Sequence, residues 1–264
     1  YTTLFRSQIL NFRKFGMALL EKQRQLFGAH HYYACDPFHE NKPPIKGDKY
    51  LQNVGKAISE MYTAFDSQAV WVMQAWSLRE PIVKAVDKDK LLILDIDGSK
   101  CEKTDGFWGY NFISGTLNNF GDRNTLHGSI DALAENKFME EREKYPNIVG
   151  TGLFMEGIFQ NPLYFDLASD MLTRSDKPEL DSWLKDYARR RYGSDEACLF
   201  EAVKDMHETC YSKACTGRET ASIICARPAY EQRHTAPNDV FELRYDNEKL
   251  LDALENLLKA EHAD

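Results

Sequence analysis

The chain has 264 residues, 43% of them hydrophobic and 28% charged, with a formal net charge of −8. That is globular composition, and it argues against a disordered chain. The acidic balance, with no basic run beyond Arg189, Arg190 and Arg191, argues against nucleic acid or an anionic membrane as the main partner, and the longest apolar runs (69–73, 91–94) are too short to span a bilayer.

In chain order, residues 3–27 read as a helix. Phe12, Phe15, Leu19 and Leu26 recur near helical spacing, and Gly28 supplies the stop. The opening residues YTTLFRSQIL carry charge and show no signal-peptide core. A short apolar strand, 32–35, runs straight into Asp36, His39 and Glu40. A helix over 49–65 follows, with Leu51, Val54, Ile58, Met61 and Phe65 at intervals of three or four. The second strand, AVWVMQAW, closes at Trp76, and a helix carrying Leu78, Ile82 and Val86 leads to the third, KLLILDIDG. A polar loop over 99–109 precedes the fourth strand, 110–117, and the loop NNFGDRN follows it. One helix over 129–144 then leads to the fifth strand, 147–154, beyond which stands Glu156.

Such alternation implies parallel strands joined by right-handed crossovers. The polar residues sit after the strands, as at the C-terminal face of a barrel. With five strands counted, an eight-stranded barrel would have about three more upstream, and an open doubly wound sheet is the other architecture compatible with the pattern. After Asn161 the reading is helical: 163–172, a break at Pro178, 180–193 ended by Gly193, 197–211, and 247–264. The expected fold class is therefore α/β: the C-terminal portion of a (β/α)8-type barrel over 1–170, then an incomplete all-α domain over 171–264.

Six cysteines are scattered: Cys35, Cys101, Cys198, Cys210, Cys215 and Cys225. They form no disulfide framework, and Cys210 with Cys215 is read either as a bridge or as two reduced thiols. His207 extends that pair to H-x2-C-x4-C, which is not a zinc spacing, so no metal is expected. No Asn-x-Ser/Thr sequon occurs, which leans away from a glycosylated secretory protein. No phosphate-binding loop or nucleophile elbow is present.

Two carboxylates at the ends of two barrel strands, Glu40 and Glu156, are the minimum kit for glycoside hydrolysis. One gives a proton to the leaving oxygen, and the other attacks the anomeric carbon; a retaining enzyme holds them roughly 5–5.5 Å apart. The plain alternative is two unrelated surface glutamates. Tyr32, Tyr33, Trp76, Phe107, Trp108 and Phe120 lie in or just after strands and offer flat apolar faces to a sugar ring, although ordinary core is the better reading for Tyr32, Trp71 and Phe112. Trp76 closes a strand at the level of Glu40. His39 either touches substrate and tunes the acid or is a loop histidine. His127 reads as structural, and the ARRRY segment as a solvated helix face.

The segments HHYYACDPFHE (30–40), AVWVMQAW (69–76), LLILDIDG (91–98), NNFGDRN (118–124), NIVGTGLFMEGIFQNP (147–162) and WLKDYARRRYG (183–193) together resemble glycoside hydrolase family 89, the α-N-acetylglucosaminidases. The resemblance implies a retaining exo-glycosidase acting on terminal α-linked N-acetylglucosamine of glycans, with Glu40 as acid/base and Glu156 as nucleophile. It matches the family's strand tryptophan to Trp76, a wall of the pocket, and implies an extracytoplasmic or lysosome-like compartment. With Trp76, the residues His39, Asn118, Trp108 and Cys35 are the candidate substrate contacts, and no cofactor is expected because two carboxylates suffice. It also implies that the chain enters the barrel part-way, so the N-terminal part of the same enzyme is an expected partner; a non-catalytic relative that binds glycan or serves as an interaction subunit is the alternative. His39 stands where animal members carry Asn, and Asn118 where the family carries His before Asn-Phe-Gly.

Overall fold

The computed structural model describes residues 2–118, 126–158, 160–212, 230–231 and 245–260, with backbone alone for residues 2–10. Helix α1 runs Thr2–Phe27, and Gly28 ends it at φ 86 with its N–H on Arg24 O at 3.0 Å. Then come β1 (Tyr32–Ala34), α2 (Asp48–Phe65), β2 (Val70–Gln74), α3 (Glu80–Val83), β3 (Leu91–Asp95), β4 (Phe112–Thr116), α4 (Ile130–Ala134), α5 (Lys137–Lys144) and β5 (Ile148–Leu153). Four further helices close the described chain: α6 (Pro162–Thr173), α7 (Leu180–Tyr192), α8 (Ala197–Cys210) and α9 (Asn247–Lys259). The strands form one sheet in sequence order, β1 to β5. The first three pairings are parallel, with Tyr33 against Trp71, Met73 against Ile93 and Asp95 against Ser114.

The chain divides into two compact units: residues 1–115 with 145–152, and 116–144 with 153–264. In the first, Trp71, Met73, Leu91, Ile93 and Phe112 bury against Ile58, Met61 and Tyr62 of α2 and Ile82 and Val83 of α3. Each large apolar side chain so buried stabilises the unit by roughly 1.5–3 kcal/mol. Gly55 lets the two helices close up, since a Cβ there would lie 2.6 Å from the Ile82 carbonyl oxygen. The apolar stripe of α1 divides: Leu20 is buried, whereas Phe15 and Leu26 are 74% and 63% exposed.

The second unit gathers Ile130, Leu133, Phe138, Leu163, Leu167, Met171, Trp183, Leu184, Val203 and Tyr211 into its own core. Its helix ends follow sequence signals. Asn161 caps α6 with Pro162 next, Glu179 caps α7, and Gly193 ends α7 at φ 71.

Two elements differ from expectation. The helix over 129–144 is two, broken at Asn136 (φ 53). The buried Asn136 amide donates to the carbonyls of Arg174 (3.2 Å) and Asp176 (2.9 Å), a fixed purchase that a continuous helix would forfeit. The helix after β2 is a single turn, tightened by i→i+3 bonds from Ala85 to Ile82 and Val86 to Val83, and the Val86 carbonyl is taken by the Tyr110 hydroxyl at 2.9 Å.

Candidate active site

In the first unit the end of β1 is clasped by β2. The buried Trp71 indole N–H donates to Cys35 O (2.7 Å), and the Gln74 N–H donates to Asp36 Oδ1 (2.7 Å). Burial raises the Asp36 carboxyl above the ordinary carboxylate range, against the pull of the Gln74 N–H and the His39 charge. Burial, and then the Asp36 charge, likewise raise the Cys35 thiol, so Cys35 is a packing thiol under the loop and not a reactive thiolate.

Beyond Asp36 the chain makes a tight turn. Phe38 and Glu40 both take left-handed backbone, φ 61 and 54. The turn is closed by Asn41 N–H on Phe38 O (3.1 Å) and by the Asn41 amide on His39 O (2.8 Å). It turns His39 and Glu40 outward, both exposed, just past the C-terminal end of β1. Trp76 stands at the same edge, directly after β2, 42% exposed.

Trp108 does not join them. It precedes β4 and lies at the opposite, N-terminal edge of the sheet, where Lys88, just before β3, donates to its carbonyl at 3.1 Å. Phe107 and Trp108 both have φ 55, a strained pair held by Phe107 packing on Phe112 (centroids 4.9 Å apart) and its N–H on Thr104 Oγ1 (3.1 Å). Trp108 therefore stands at the floor of the sheet, at the edge away from Glu40.

In the second unit, Asn118 follows β4 and is buried. Its amide donates to His127 O (3.1 Å), and His127 Nε2 lies 2.7 Å from Asn118 O, a reciprocal tie that makes His127 structural. Around it lies a polar cluster. Thr116 Oγ1 and the Tyr164 hydroxyl are 2.8 Å apart, and the Tyr211 hydroxyl donates to Asn161 Oδ1 at 2.9 Å. Burial raises both tyrosines' pKa, so both hydroxyls stay neutral. Glu156 is exposed on the loop after β5, whose backbone is tied by the Gln160 amide to Glu156 O (3.3 Å) and Gly157 O (2.8 Å). Phe120 and the rest of the 119–124 loop, and Cys215 with its proposed partnership to Cys210, fall outside the described residues.

Sequence reading names Asp36 only as a polar residue after the first strand, and gives Asn161 and Tyr211 no role. Only Asn161 left a local trace, as the capping residue of an Asn-Pro helix start. Among the described residues no group of three or more His, Cys, Asp or Glu side chains is placed to hold a metal ion, and no helix is long and apolar enough to cross a membrane.

The family model of the α-N-acetylglucosaminidase (NAGLU) TIM-barrel domain matches residues 2–175, and that of the NAGLU C-terminal domain matches 183–264. The chain belongs to the α-N-acetylglucosaminidase family. Human α-N-acetylglucosaminidase is 30% identical over 250 residues, covering 86% of this chain and 33% of the human protein. Among solved structures, the family 89 glycoside hydrolase from Clostridium perfringens in complex with PUGNAc is 27% identical with a TM-score of 0.85, covering 94% of this chain and 29% of that one. A variant of that enzyme with two Glu→Gln substitutions, in complex with its substrate GlcNAc-α-1,4-galactose, gives 26% and 0.84 over the same shares. The chain thus spans about a third of the length of these relatives. Its α/β fold is that of the NAGLU family: strands of a TIM barrel followed by the family's C-terminal domain.

Proposed function

We propose that this chain carries the catalytic pair of a retaining exo-glycosidase for terminal α-linked N-acetylglucosamine, with Glu156 as nucleophile and Glu40 as acid/base. The observation that carries the reading is positional. In a chain of this family, each glutamate stands exposed on the loop just beyond the C-terminal end of its strand, the face on which barrel enzymes build their sites. The two substituted glutamates of the substrate-bound relative also stand almost as far apart along that chain as Glu40 and Glu156 along this one.

The chemistry calls for a protein nucleophile. An α-linked leaving group is cis to the 2-acetamido group, so the acetamide oxygen has no path to the opposite face, as it has in substrate-assisted enzymes. Glu156 attacks the anomeric carbon as the glycosidic C–O bond breaks, and Glu40 gives its proton to the departing oxygen. A β-linked glycosyl-enzyme results. Glu40, now a carboxylate, takes a proton from water as that water attacks the same carbon and releases Glu156. No cofactor is needed. His39 and Trp76 share the Glu40 edge and are proposed as sugar contacts; Asn118, with its side chain committed to His127, is proposed to shape the wall.

The test is hydrolysis of α- and β-linked GlcNAc reporters by the whole protein that contains this chain. Glu156→Gln is expected to abolish turnover, and Glu40→Gln to cost about 10²–10⁴-fold on a poor leaving group. Full rate in Glu156→Gln, or equal activity on the β-anomer, would overturn the reading. A protein that binds α-GlcNAc glycans without turnover would favour the non-catalytic alternative. The exposed edge of β1 and the outward stripe of Phe12, Phe15, Leu19 and Leu26 are proposed to receive further strand–helix units of the same barrel.

A further inference from the structure

We infer that Arg79 is a positioning residue for Glu40, acting through the carbonyl of Asn41. The inference rests on the reading of Glu40 as acid/base.

Glu40 sits in a conformation that its own sequence does not favour. A non-glycine residue at positive φ is disfavoured, and here two such residues, Phe38 and Glu40, bracket His39 within one turn. Such a turn persists only where surroundings hold it. Its near end is held by the Gln74 N–H on Asp36 Oδ1 (2.7 Å) and by the Trp71 indole on Cys35 O (2.7 Å). Its far end is held by Arg79, whose Nη2 donates to Asn41 O at 3.0 Å. Asn41 in turn closes the turn across Glu40, through its N–H to Phe38 O and its amide to His39 O.

Arg79 is well placed to be the fixed member of this pair. It is the N-cap residue of α3, and its carbonyl accepts the N–H groups of Ile82 (2.9 Å) and Val83 (3.2 Å). Ile82 and Val83 are buried, and α3 is seated on α2 at Gly55. The base of the arginine therefore belongs to the core, while its head reaches the exposed catalytic loop. A carboxyl that must meet the leaving oxygen within hydrogen-bond reach tolerates little freedom, and a misplacement near 1 Å costs about 10²-fold.

The experiment is a leaving-group comparison on the whole protein. One substrate is an α-GlcNAc disaccharide, whose leaving oxygen needs a proton; the other is 2,4-dinitrophenyl α-GlcNAc, whose phenolate departs without one. Removing Arg79 (Arg79→Met, or Arg79→Gln if that variant fails to fold) is expected to lower kcat/KM about 10- to 10²-fold on the disaccharide and by less than about threefold on the aryl glycoside. On the aryl glycoside kcat falls with KM, because the glycosyl-enzyme waits for its base. Azide, which attacks the anomeric carbon without giving up a proton, restores kcat as the glycosyl azide. Arg79→Lys, which keeps one donor for one carbonyl, stays within about threefold of the parent. Equal losses on both substrates, or none, would overturn the inference. Glu40→Gln is the reference: if it fails to spare the aryl glycoside, or if neither substrate is turned over by the parent, the assignment of Glu40 falls first and this one with it.

Discussion

The loop that carries Glu156 ends at Asn161, and that anchor can be tested energetically. Asn161 is 4% exposed and its Oδ1 serves two donors, the Tyr164 N–H of α6 (3.4 Å) and the Tyr211 hydroxyl (2.9 Å). Asn161→Ala removes a helix cap, at about 1 kcal/mol, and strands a buried hydroxyl, at about 1–3 kcal/mol. The total expected is about 2–4 kcal/mol, or a fall in Tm of roughly 5–12 °C for a chain of this size. Tyr211→Phe alone should cost about 1 kcal/mol, since it removes one hydrogen bond and leaves the Asn161 oxygen with the Tyr164 N–H. In the double variant the stranded hydroxyl is gone, so Asn161→Ala should then cost only the cap and the long amide bond to His127 O (3.4 Å), which are common to both backgrounds. A double-mutant cycle read from urea midpoints at constant m is therefore expected to show coupling of about 1–3 kcal/mol, the cost of the stranded hydroxyl. Additivity within about 0.5 kcal/mol would refute the claim that the hydroxyl, and not the cap, makes Asn161 expensive to lose.

Two further outcomes are expected. Gly55→Ala forces a Cβ to within 2.6 Å of the Ile82 carbonyl oxygen, so α2 and α3 must part; a loss of about 1–3 kcal/mol is expected in denaturant melts, and an unchanged midpoint would contradict the close seat. Burial raises the Asp36 pKa in the folded chain above the 3.8 of a free aspartate, so its contribution is fully present below pH 3.8 and is lost as pH rises through the folded value. Asp36→Asn, which keeps an acceptor for the Gln74 N–H, should therefore gain on the parent between pH 4 and pH 7 in matched urea melts; a relative loss over that interval would reverse the sign of the argument.

Much of this architecture was legible because its signals are local. The apolar runs of β2 and β3, the glycine stops at Gly28 and Gly193, and the glutamates placed after strands are all written within a few residues of where they act. What stayed hidden depends on distant partners. Asn136 breaks a helix because Arg174 and Asp176 wait for its amide, and nothing between 129 and 144 announces them. Thr116, Tyr164, Asn161 and Tyr211 each look ordinary in sequence, and become a cluster only when the ends of β4, α6 and α8 meet. Nothing around Arg79 in the sequence marks it, and its role is visible only in the bond from its guanidinium to the Asn41 carbonyl.

Trp108 shows which sequence signal should outrank the others. As an aromatic in a loop between strands it has the side chain a sugar site wants, and residue type placed it among the pocket residues. In a parallel sheet, however, a loop between strands has two ends at opposite edges. Residues just after β3 lie at the C-terminal edge, whereas Phe107 and Trp108 are separated from β4 by only a few residues and have already crossed to the other. There the strained pair does structural work, with the Lys84 ammonium 5.9 Å from the Trp108 ring centroid and Lys88 on its carbonyl. Trp76 and Arg79 pass the same positional test, because both follow β2 within five residues. Counting from the strand end, before asking what a side chain could bind, separates the tryptophan that can share an edge with Glu40 from the one that cannot.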